Sequence, residues 1–229
     1  MRRKLVVAAI PDLHFPWVDV KALAKVYDII ENHNPQVVIQ LGDLYDLYSY
    51  SKYARTHDLC TPEEELEDAR NSALIFWNTI NEIVPRARKI QLRGNHDVRI
   101  EKRTLEKAPE LYSIVSRHQN DLYKFKGVET ILCDKEGIEI EGVLYVHGWL
   151  TKLGDHMKSL GKCIVHGHTH RAGIIFENYF GNLLWELDCG YLAGDAKDAI
   201  PLRYGPTVHM KWVKGLGMIK PDGPIFIPT

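Results

Sequence analysis

Apolar runs of strand length alternate with a helical pattern at the start of the chain. Leu5–Ile10 and Val37–Leu41 are continuously apolar, and the stretch Asp19–His33 between them places apolar residues at helical spacing. Asn34-Pro35 predicts the end of that helix, because the residue before a proline avoids the helical region. Strand, helix and strand in this order predict a βαβ unit with parallel strands.

The next helix is predicted by its N-terminal signals. Thr61 suits the N-cap, Pro62 the first turn and Glu64 the capping-box position, and an apolar stripe follows until Pro85. The segment Lys89–Leu92 then predicts a third strand.

The pattern changes after this strand. Val98–Ser116 predicts a helix that is interrupted near Pro109, and Leu153–Leu160 is the last helical pattern. Short strands are predicted at Val128–Leu132, Ile138–Ile140, Val143–Val146, Lys162–Val165, Ile174–Glu177, Leu183–Leu187 and Val208–Val213. Since neither a repeat nor a linker divides the sequence, we expect residues 1–229 to form one domain.

Composition narrows the function classes only slightly. The 229 residues include 45% hydrophobic and 26% charged residues, which is ordinary globular usage, and the net charge is −1. Bulk charge therefore attracts neither nucleic acid nor an anionic membrane, so a nucleic-acid role would need a local basic patch. No apolar run approaches the length of a membrane span, and the six-residue run Leu5–Ile10 is too short for a signal peptide. The four separated cysteines favour reduced thiols and a cytoplasmic location.

Side chains of the metal-ligand type recur in five short blocks, four of which directly follow an apolar run. The blocks are Asp12-Leu13-His14, Gly42-Asp43, Gly94-Asn95-His96-Asp97, His147-Gly148 and His166-Gly167-His168-Thr169-His170. Each block alone is more often a structural turn than a metal site. Residues just past strand ends converge at one edge of a sheet, however, where α/β proteins place their sites. Five such blocks together therefore predict a two-metal centre.

Two cations about 3.5–4 Å apart can clamp phosphoryl oxygens and lower the pKa of a shared water molecule for in-line attack. A carboxylate can bridge two cations, whereas an imidazole offers one nitrogen to each. A mixture of imidazole, carboxylate and amide donors suits Mn, Fe, Zn, Ni or Co better than Mg or Ca, which favour oxygen ligands. We expect two divalent transition-metal ions, with Mn the first choice.

In their order DxH, GDxxD, GNHD, a lone His and GHTH, these blocks resemble the calcineurin-like metallophosphoesterases from Asp12 to His170. The resemblance implies an α/β fold, a four-layer αββα sandwich with two mixed β-sheets and a dinuclear metal site at the strand ends. It also implies a metal-dependent phosphoester hydrolase.

The resemblance further assigns a role to each residue of the blocks. One metal would be held by Asp12, His14 and His170, the other by Asn95, His147 and His168, and Asp43 would bridge both. His96 would be the acid or hydrogen-bond donor beside the leaving oxygen, with Asp46 orienting its ring.

Two further expectations concern His96 and Asp97. A carboxylate near His96 should raise its pKa and favour the protonated imidazole close to neutral pH. Asp97 would either help to orient His96 or cap the helix that starts at Val98.

The substrate class depends on one departure from the family pattern. Protein phosphatases of the superfamily carry an arginine directly after GDxxD, where it grips the phosphoryl oxygens, and this chain has Leu47 there. Loss of a bidentate guanidinium weakens recognition of a dianionic monoester more than that of a diester. We therefore expect a phosphodiesterase that acts on nucleotides or nucleic acid, a nuclease included. The alternatives are a phosphatase of phosphoproteins or small metabolites, and a non-catalytic binding platform such as some relatives form.

Basic and aromatic residues close to the blocks are candidates for substrate contact. Arg171 directly follows His170, and Arg99 and Arg103 share one helix face; solvated surface charge is the alternative for this pair. A cluster of aromatic and basic residues would either stack bases or, as we favour, pack against the body of the protein. Its members are Tyr45, Tyr48, Tyr50, Lys52, Tyr53 and Arg55. Trp149 would wall the pocket or fill the core. We expect a phosphoester partner such as a nucleotide, DNA or RNA, with no membrane and no obligate protein partner.

Overall fold

Two β-sheets packed face to face form the centre of the computed structural model, which describes residues 5–52, 60–194 and 211–229. The elements are β1 (Val7–Ile10), α1 (Val20–His33), β2 (Val37–Gln40), α2 (Pro62–Ile83), β3 (Arg88–Gln91), α3 (Arg99–Lys107), α4 (Tyr112–Asp121), β4 (Val128–Thr130), β5 (Ile138–Ile140), β6 (Val143–Tyr145), α5 (Asp155–Leu160), β7 (Cys163–His166), β8 (Ala172–Tyr179), β9 (Asn182–Cys189), β10 (Gly215–Lys220) and β11 (Gly223–Pro228). Single 3₁₀ turns lie at Tyr48–Tyr50 and Pro109–Leu111.

Both sheets are mixed. The first has the strand order β11-β10-β1-β2-β3-β4, in which β1 to β4 are parallel, β10 is antiparallel to β1, and β11 is antiparallel to β10. The second has the order β5-β6-β7-β9-β8, with β6, β7 and β9 parallel. The predicted parallel pairing of the first two strands is confirmed, with Val7 opposite Val37.

Strand β1 is apolar throughout because both of its faces are covered. Val7 and Ala9 pack between the sheets in a cluster with Leu187 of β9. Ala8 and Ile10 pack in the opposite direction, against α1 and α2. A parallel strand that is buried on both faces needs no alternating polar residues, and the sequence of β1 has none.

Helices cover the outer faces of the sandwich unequally. The two long helices α1 and α2 lie on the first sheet, and the predicted capping box of α2 is present: the Thr61 hydroxyl accepts from the Glu64 backbone N–H, and the Glu64 carboxylate accepts from the Thr61 N–H. On the second sheet, the six-residue α5 contacts β7 and β9. The αββα architecture is therefore confirmed, with a thin fourth layer. Within the described ranges, no helix is long and apolar enough to cross a membrane.

The last part of the chain differs most from the sequence prediction. Residues 208–210 of the predicted strand Val208–Val213 lie outside the described residues, and residues 211–213 form no strand. The strand is β10 instead, which starts at Gly215 and forms an unpredicted hairpin with β11. Glycine usually weakens a strand, but a Cβ on Gly217 would lie 2.5 Å from Sγ of Cys189. Close packing between the sheets therefore explains this glycine.

Candidate metal centre

Five loops bring the predicted ligands together at the edge where the two sheets face each other. The residues are Asp12, His14, Asp43, Asn95, His147, His168 and His170. All follow the carboxyl ends of strands, and all are buried except the half-buried Asn95 and His168. This is the edge where open α/β sheets place their sites.

Glycines in the blocks permit close contact between backbone and carboxylates. A Cβ on Gly94 would lie 2.1 Å from Oδ1 of Asp43, and one on Gly167 would lie 2.2 Å from Oδ1 of Asp12. No side chain fits at either position. The backbone N–H of His168 is thereby free to donate to both oxygens of Asp12, at 3.1 and 3.0 Å.

Several ligand candidates adopt the left-handed backbone conformation. The φ angles are 51° for His14, 49° for Asp43, 71° for His168 and 61° for His170. Residues other than glycine rarely adopt this conformation, and such strain is concentrated at functional sites.

The first group of donors consists of Asp12, His14 and His170. Nε2 of His14 lies 3.2 Å from Nε2 of His170, and the latter atom lies 3.1 Å from Oδ2 of Asp12. Two imidazole nitrogens that face each other beside a carboxylate oxygen suit a shared cation, since only one proton fits between them. These residues fit a divalent transition-metal ion.

The second group consists of Asn95, His147 and His168. Oδ1 of Asn95 lies 3.0 Å from Nε2 of His147 and 2.8 Å from Nδ1 of His168. Nδ1 of His147 lies 3.2 Å from the Leu41 carbonyl oxygen, to which it donates, so Nε2 is the nitrogen that can bind a metal ion once its proton is released.

Asp43 lies between these two groups. Its Oδ1 accepts a hydrogen bond of 2.8 Å from the backbone N–H of His96, which fixes the carboxylate. Its Oδ2 lies 3.9 Å from Nε2 of His14 and 3.4 Å from Nε2 of His147. One carboxylate oxygen thus faces both donor groups, as a bridging ligand requires.

The electrostatics of the site favour added positive charge. Burial alone would raise the pKa of Asp12, but the His170 hydrogen bond and the charges of His147 and His170 lower it to about 2. Burial would lower the pKa of His147, yet Asp43 and Asp12 raise it to about 9. The carboxylates therefore favour a proton on the imidazole of His147. A metal ion would supply the same positive charge, so metal binding releases such protons.

His96 differs from the sequence prediction in its pKa. Burial, followed by the charge of Arg99, lowers that pKa to about 4, against the raising effect of Asp43 and Asp46. Nδ1 of His96 donates to Oδ1 of Asp46 at 2.9 Å, and Nε2 lies 2.8 Å from Nη2 of Arg99. An arginine can only donate, so Nε2 accepts and the imidazole is neutral. The expected rise in pKa is wrong, because the neighbouring carboxylate does not outweigh burial and the guanidinium.

Asp97 connects the loops that follow β2 and β3. None of the hydrogen bonds of its carboxylate in the described residues involves His96. Its carboxylate accepts from the N–H groups of Gly94 at 2.7 Å and Tyr45 at 3.0 Å, and from the Tyr123 hydroxyl at 3.0 Å. The predicted helix cap is wrong, since α3 follows Val98 without a side-chain cap.

The three arginine candidates occupy different positions around the site. Arg171 lines a pocket of about 220 Å³ at the donor groups, together with Asn95 and His96. Arg99 donates to the Asp46 carbonyl oxygen at 2.6 Å as well as facing His96. Arg103 lines an adjoining pocket of about 290 Å³.

The aromatic candidates mainly have packing roles. Tyr45 and Tyr48 are buried and Tyr50 is half-buried against the core, while Tyr53 and Arg55 lie outside the described residues. Trp149 is 44% exposed and packs edge-on against His156, so it does not fill the core.

A buried network behind the site was not predicted. Oε1 of Glu186 lies 3.1 Å from Nε2 of His166, and Oε2 accepts from the Met157 N–H at 2.7 Å. Nε2 of His156 accepts from the N–H groups of Trp149 and Leu150, at 3.0 and 3.1 Å. The network thus holds the loops that follow β6 and β7, where the ligand candidates lie.

A second carboxylate of β9 supports the same region. Asp188 accepts a hydrogen bond from the Thr169 hydroxyl and another from the Gly190 N–H. Glu186 and Asp188 are two residues apart in the segment Leu183–Cys189, whose other residues are apolar, and this pattern was the available sequence signal.

The sequence model of the calcineurin-like phosphoesterase family matches residues 5–172, which is more than half of the chain. The protein therefore belongs to this family, in agreement with the motif order and the buried Asp and His clusters. Family membership implies a phosphoester hydrolase with a phosphoester substrate.

Two curated relatives match over nearly the whole chain. They are the Gene 54 proteins of Mycobacterium phages L5 and D29, each 26% identical and each covering 97% of this chain and 91% of the relative.

Two solved structures show a weaker likeness. YfcE, a phosphoesterase from E. coli, has a TM-score of 0.46 and 16% identity, with 98% of this chain and 93% of that chain covered. Vps29 of Chaetomium thermophilum has a TM-score of 0.45 and 11% identity, with the same coverage.

Proposed function

We propose that this protein hydrolyses phosphodiesters of nucleotides or nucleic acid with two divalent transition-metal ions. We assign Asp12, His14 and His170 to one ion, and Asn95, His147 and His168 to the other, with Asp43 as the bridge. The facing nitrogens of the first group, the shared amide oxygen of the second and the position of Asp43 Oδ2 between them support this assignment.

Two such ions, when bound, polarise phosphoryl oxygens and lower the pKa of a shared water molecule for in-line attack. The protein positions the groups around them. Asp46 orients the rings of both His14 and His96 through a single carboxylate oxygen. We assign the His96–Arg99 pair to the leaving oxygen, because a positioned donor beside that oxygen offsets its developing charge.

The buried position of Leu47 is the observation that carries the choice of a diester. Its side chain is 0% exposed and packs in the core with Leu44 and Tyr45. No guanidinium therefore reaches the phosphoryl oxygens from this position. A dianionic monoester depends on such a clamp more than a singly charged diester does.

A direct test compares kcat/KM for bis-p-nitrophenyl phosphate and p-nitrophenyl phosphate with the Mn-loaded protein. We expect the diester to be favoured by about tenfold or more. Single-stranded DNA in the same series tests for a nuclease. Faster turnover of the monoester would overturn the proposal.

Asp43→Asn is the matched control for this test, because it removes the bridging charge and keeps the side-chain shape. It should abolish turnover of both esters. Turnover that survives in this variant would not arise at the metal centre. That result would favour the interpretation of the protein as a non-catalytic binding platform.

A phosphomonoesterase is the second candidate function, and the position of Arg171 favours it. This exposed residue lines the pocket at the donor groups and could provide the clamp that Leu47 does not. Arg171→Gln would then raise KM for the monoester without a matching effect on the diester.

A further inference from the structure

We propose that the pocket beside α3 is a second anion-binding subsite, which holds a phosphate adjacent to the one that is cleaved. The preferred substrate would then carry at least two phosphates. This subsite rests on the proposed phosphodiesterase function, since it defines which diesters that site would prefer.

The pocket has room for a phosphate and part of its sugar. Its volume is about 290 Å³, whereas a water molecule occupies about 30 Å³ in the liquid. One wall consists of side chains from α3 and the other of the segment that follows the 3₁₀ turn Tyr48–Tyr50, including Lys52.

Asn95 connects this pocket to the metal-ligand candidates. It lines both the 290 Å³ pocket and the 220 Å³ pocket at the donor groups. Its amide oxygen also lies 3.0 Å from His147 and 2.8 Å from His168. A chain that has one phosphate at the donor groups can therefore continue past Asn95 into the neighbouring pocket.

The charge of the pocket suits an anion. Arg99, Lys102, Arg103 and Glu106 follow one another at helical spacing, so α3 presents them on one face. With Lys52 they give four cationic side chains and one carboxylate at the pocket wall. A face of this composition is the kind that contacts phosphates.

Arg103 is the residue on which the subsite depends. Arg99 already donates to the Asp46 carbonyl oxygen, and Lys102 pairs with Asp134 at 3.0 Å. Arg103 is half-buried, and no residue in the described parts of the chain forms a hydrogen bond or ion pair with it. A partly desolvated guanidinium without an acceptor suits a phosphate, whose oxygens match its planar fork.

The experiment compares substrates that differ in a neighbouring phosphate. The dinucleotide dTpdT has one phosphate, and the trinucleotide dTpdTpdT has a second within the strand. A third arm, the p-nitrophenyl ester of thymidine 5′-triphosphate, carries its neighbouring phosphates within one nucleotide and so distinguishes the two sources. We expect kcat/KM for the trinucleotide to exceed that for the dinucleotide by about tenfold.

Variants locate this preference. Arg103→Gln should remove most of the trinucleotide-to-dinucleotide ratio, and Arg103→Lys should retain part of it because the charge remains. Arg117→Gln removes an exposed charge on α4 that lines neither pocket, and it should keep the ratio of the parent protein. The ratio is independent of general losses at the metal centre, since both substrates use the same centre.

Two results would overturn the subsite. One is a trinucleotide-to-dinucleotide ratio of kcat/KM in the parent protein that the second cleavable linkage of the trinucleotide explains by itself. The other is an unchanged ratio in Arg103→Gln. Failure of the proposed function would give a different result: p-nitrophenyl phosphate would be hydrolysed rapidly and bis-p-nitrophenyl phosphate not at all. In that case the inhibition constants of dTpdT and dTpdTpdT against the monoester still test the subsite through the same ratio.

Discussion

Nδ1 of His14 lies 3.0 Å from Oδ1 of Asp46, and the same oxygen lies 2.9 Å from Nδ1 of His96. Asp46 is buried, so this oxygen orients both rings away from solvent. One ring belongs to the proposed ligands, and the other lies beside the proposed position of the leaving oxygen. Metal affinity and turnover should therefore both depend on a residue that binds neither metal nor substrate.

Asp46→Asn should weaken metal binding by about 10- to 100-fold, as the loss of partners that orient metal ligands typically does. The amide keeps the shape of the carboxylate but loses its charge. Calorimetric titration with Mn²⁺ measures the change. Asp121→Asn, which breaks only the surface pair with Lys124, is the control and should bind as the parent does. An unchanged affinity in Asp46→Asn would show that His14 needs no orienting partner.

His96→Ala should retain its metal and lose about 10²- to 10³-fold in kcat, because the His96–Arg99 pair would no longer be positioned to offset the charge that develops on the leaving oxygen. Nε2 of His96 lies 2.8 Å from Nη2 of Arg99 and 3.8 Å from Oδ2 of Asp43, so the ring pairs with the guanidinium at the border of the donor groups. Metal content and diester turnover are measured on the same preparation. Loss of metal together with turnover would mean that His96 is a ligand.

Removal of metal should destabilise the fold, because Asp12 and Asp43 are buried carboxylates whose charge the metal ions would offset. At a metal concentration of about 100 times Kd, binding adds about 2.7 kcal/mol to the free energy of unfolding. Thermal unfolding with and without chelator measures the shift in Tm. The same shift in Asp43→Asn would place the stabilising metal elsewhere.

Glu186→Gln should lower the free energy of unfolding by about 3 kcal/mol, since it breaks a buried pair with His166. Urea denaturation measures this effect. Glu177→Gln is the matched control on the neighbouring strand β8, where the carboxylate pairs with Lys158 at the surface. Its effect should stay below about 1 kcal/mol. Equal effects of the two variants would contradict the role given to the buried network.

Gly167→Ala should impair metal binding without unfolding the protein, because the added Cβ would lie 2.2 Å from Oδ1 of Asp12. Metal content after equilibration with Mn²⁺ reports the loss. Gly181→Ala, whose added methyl group would meet no atom within 4 Å, controls for a glycine substitution away from the site and should keep its full metal content. Full metal content in Gly167→Ala would show that the loop adapts around Asp12.

The sequence contained enough information to predict the donor cluster, because strand ends follow from apolar runs and parallel strands bring those ends to one edge. Asp12 and Asp43 illustrate this, since each lies within three residues of a strand end. The predicted βαβ unit also depended only on local patterns.

Features that depend on distant contacts were not predictable from local patterns. The pKa of His96 is lowered by burial and by Arg99, an effect that the proximity of a carboxylate did not indicate. Asp97 accepts its hydrogen bonds from loops that meet only in the folded chain. The β10–β11 hairpin was missed because its glycines pack against another strand, which the local sequence does not reveal.

The metal stoichiometry of the protein, measured by inductively coupled plasma mass spectrometry after equilibration with Mn²⁺, tests the central claim most directly. We expect two ions per chain, because the donors form two groups joined by Asp43. Protein that binds no transition metal under these conditions would contradict the two-ion centre and the hydrolysis derived from it.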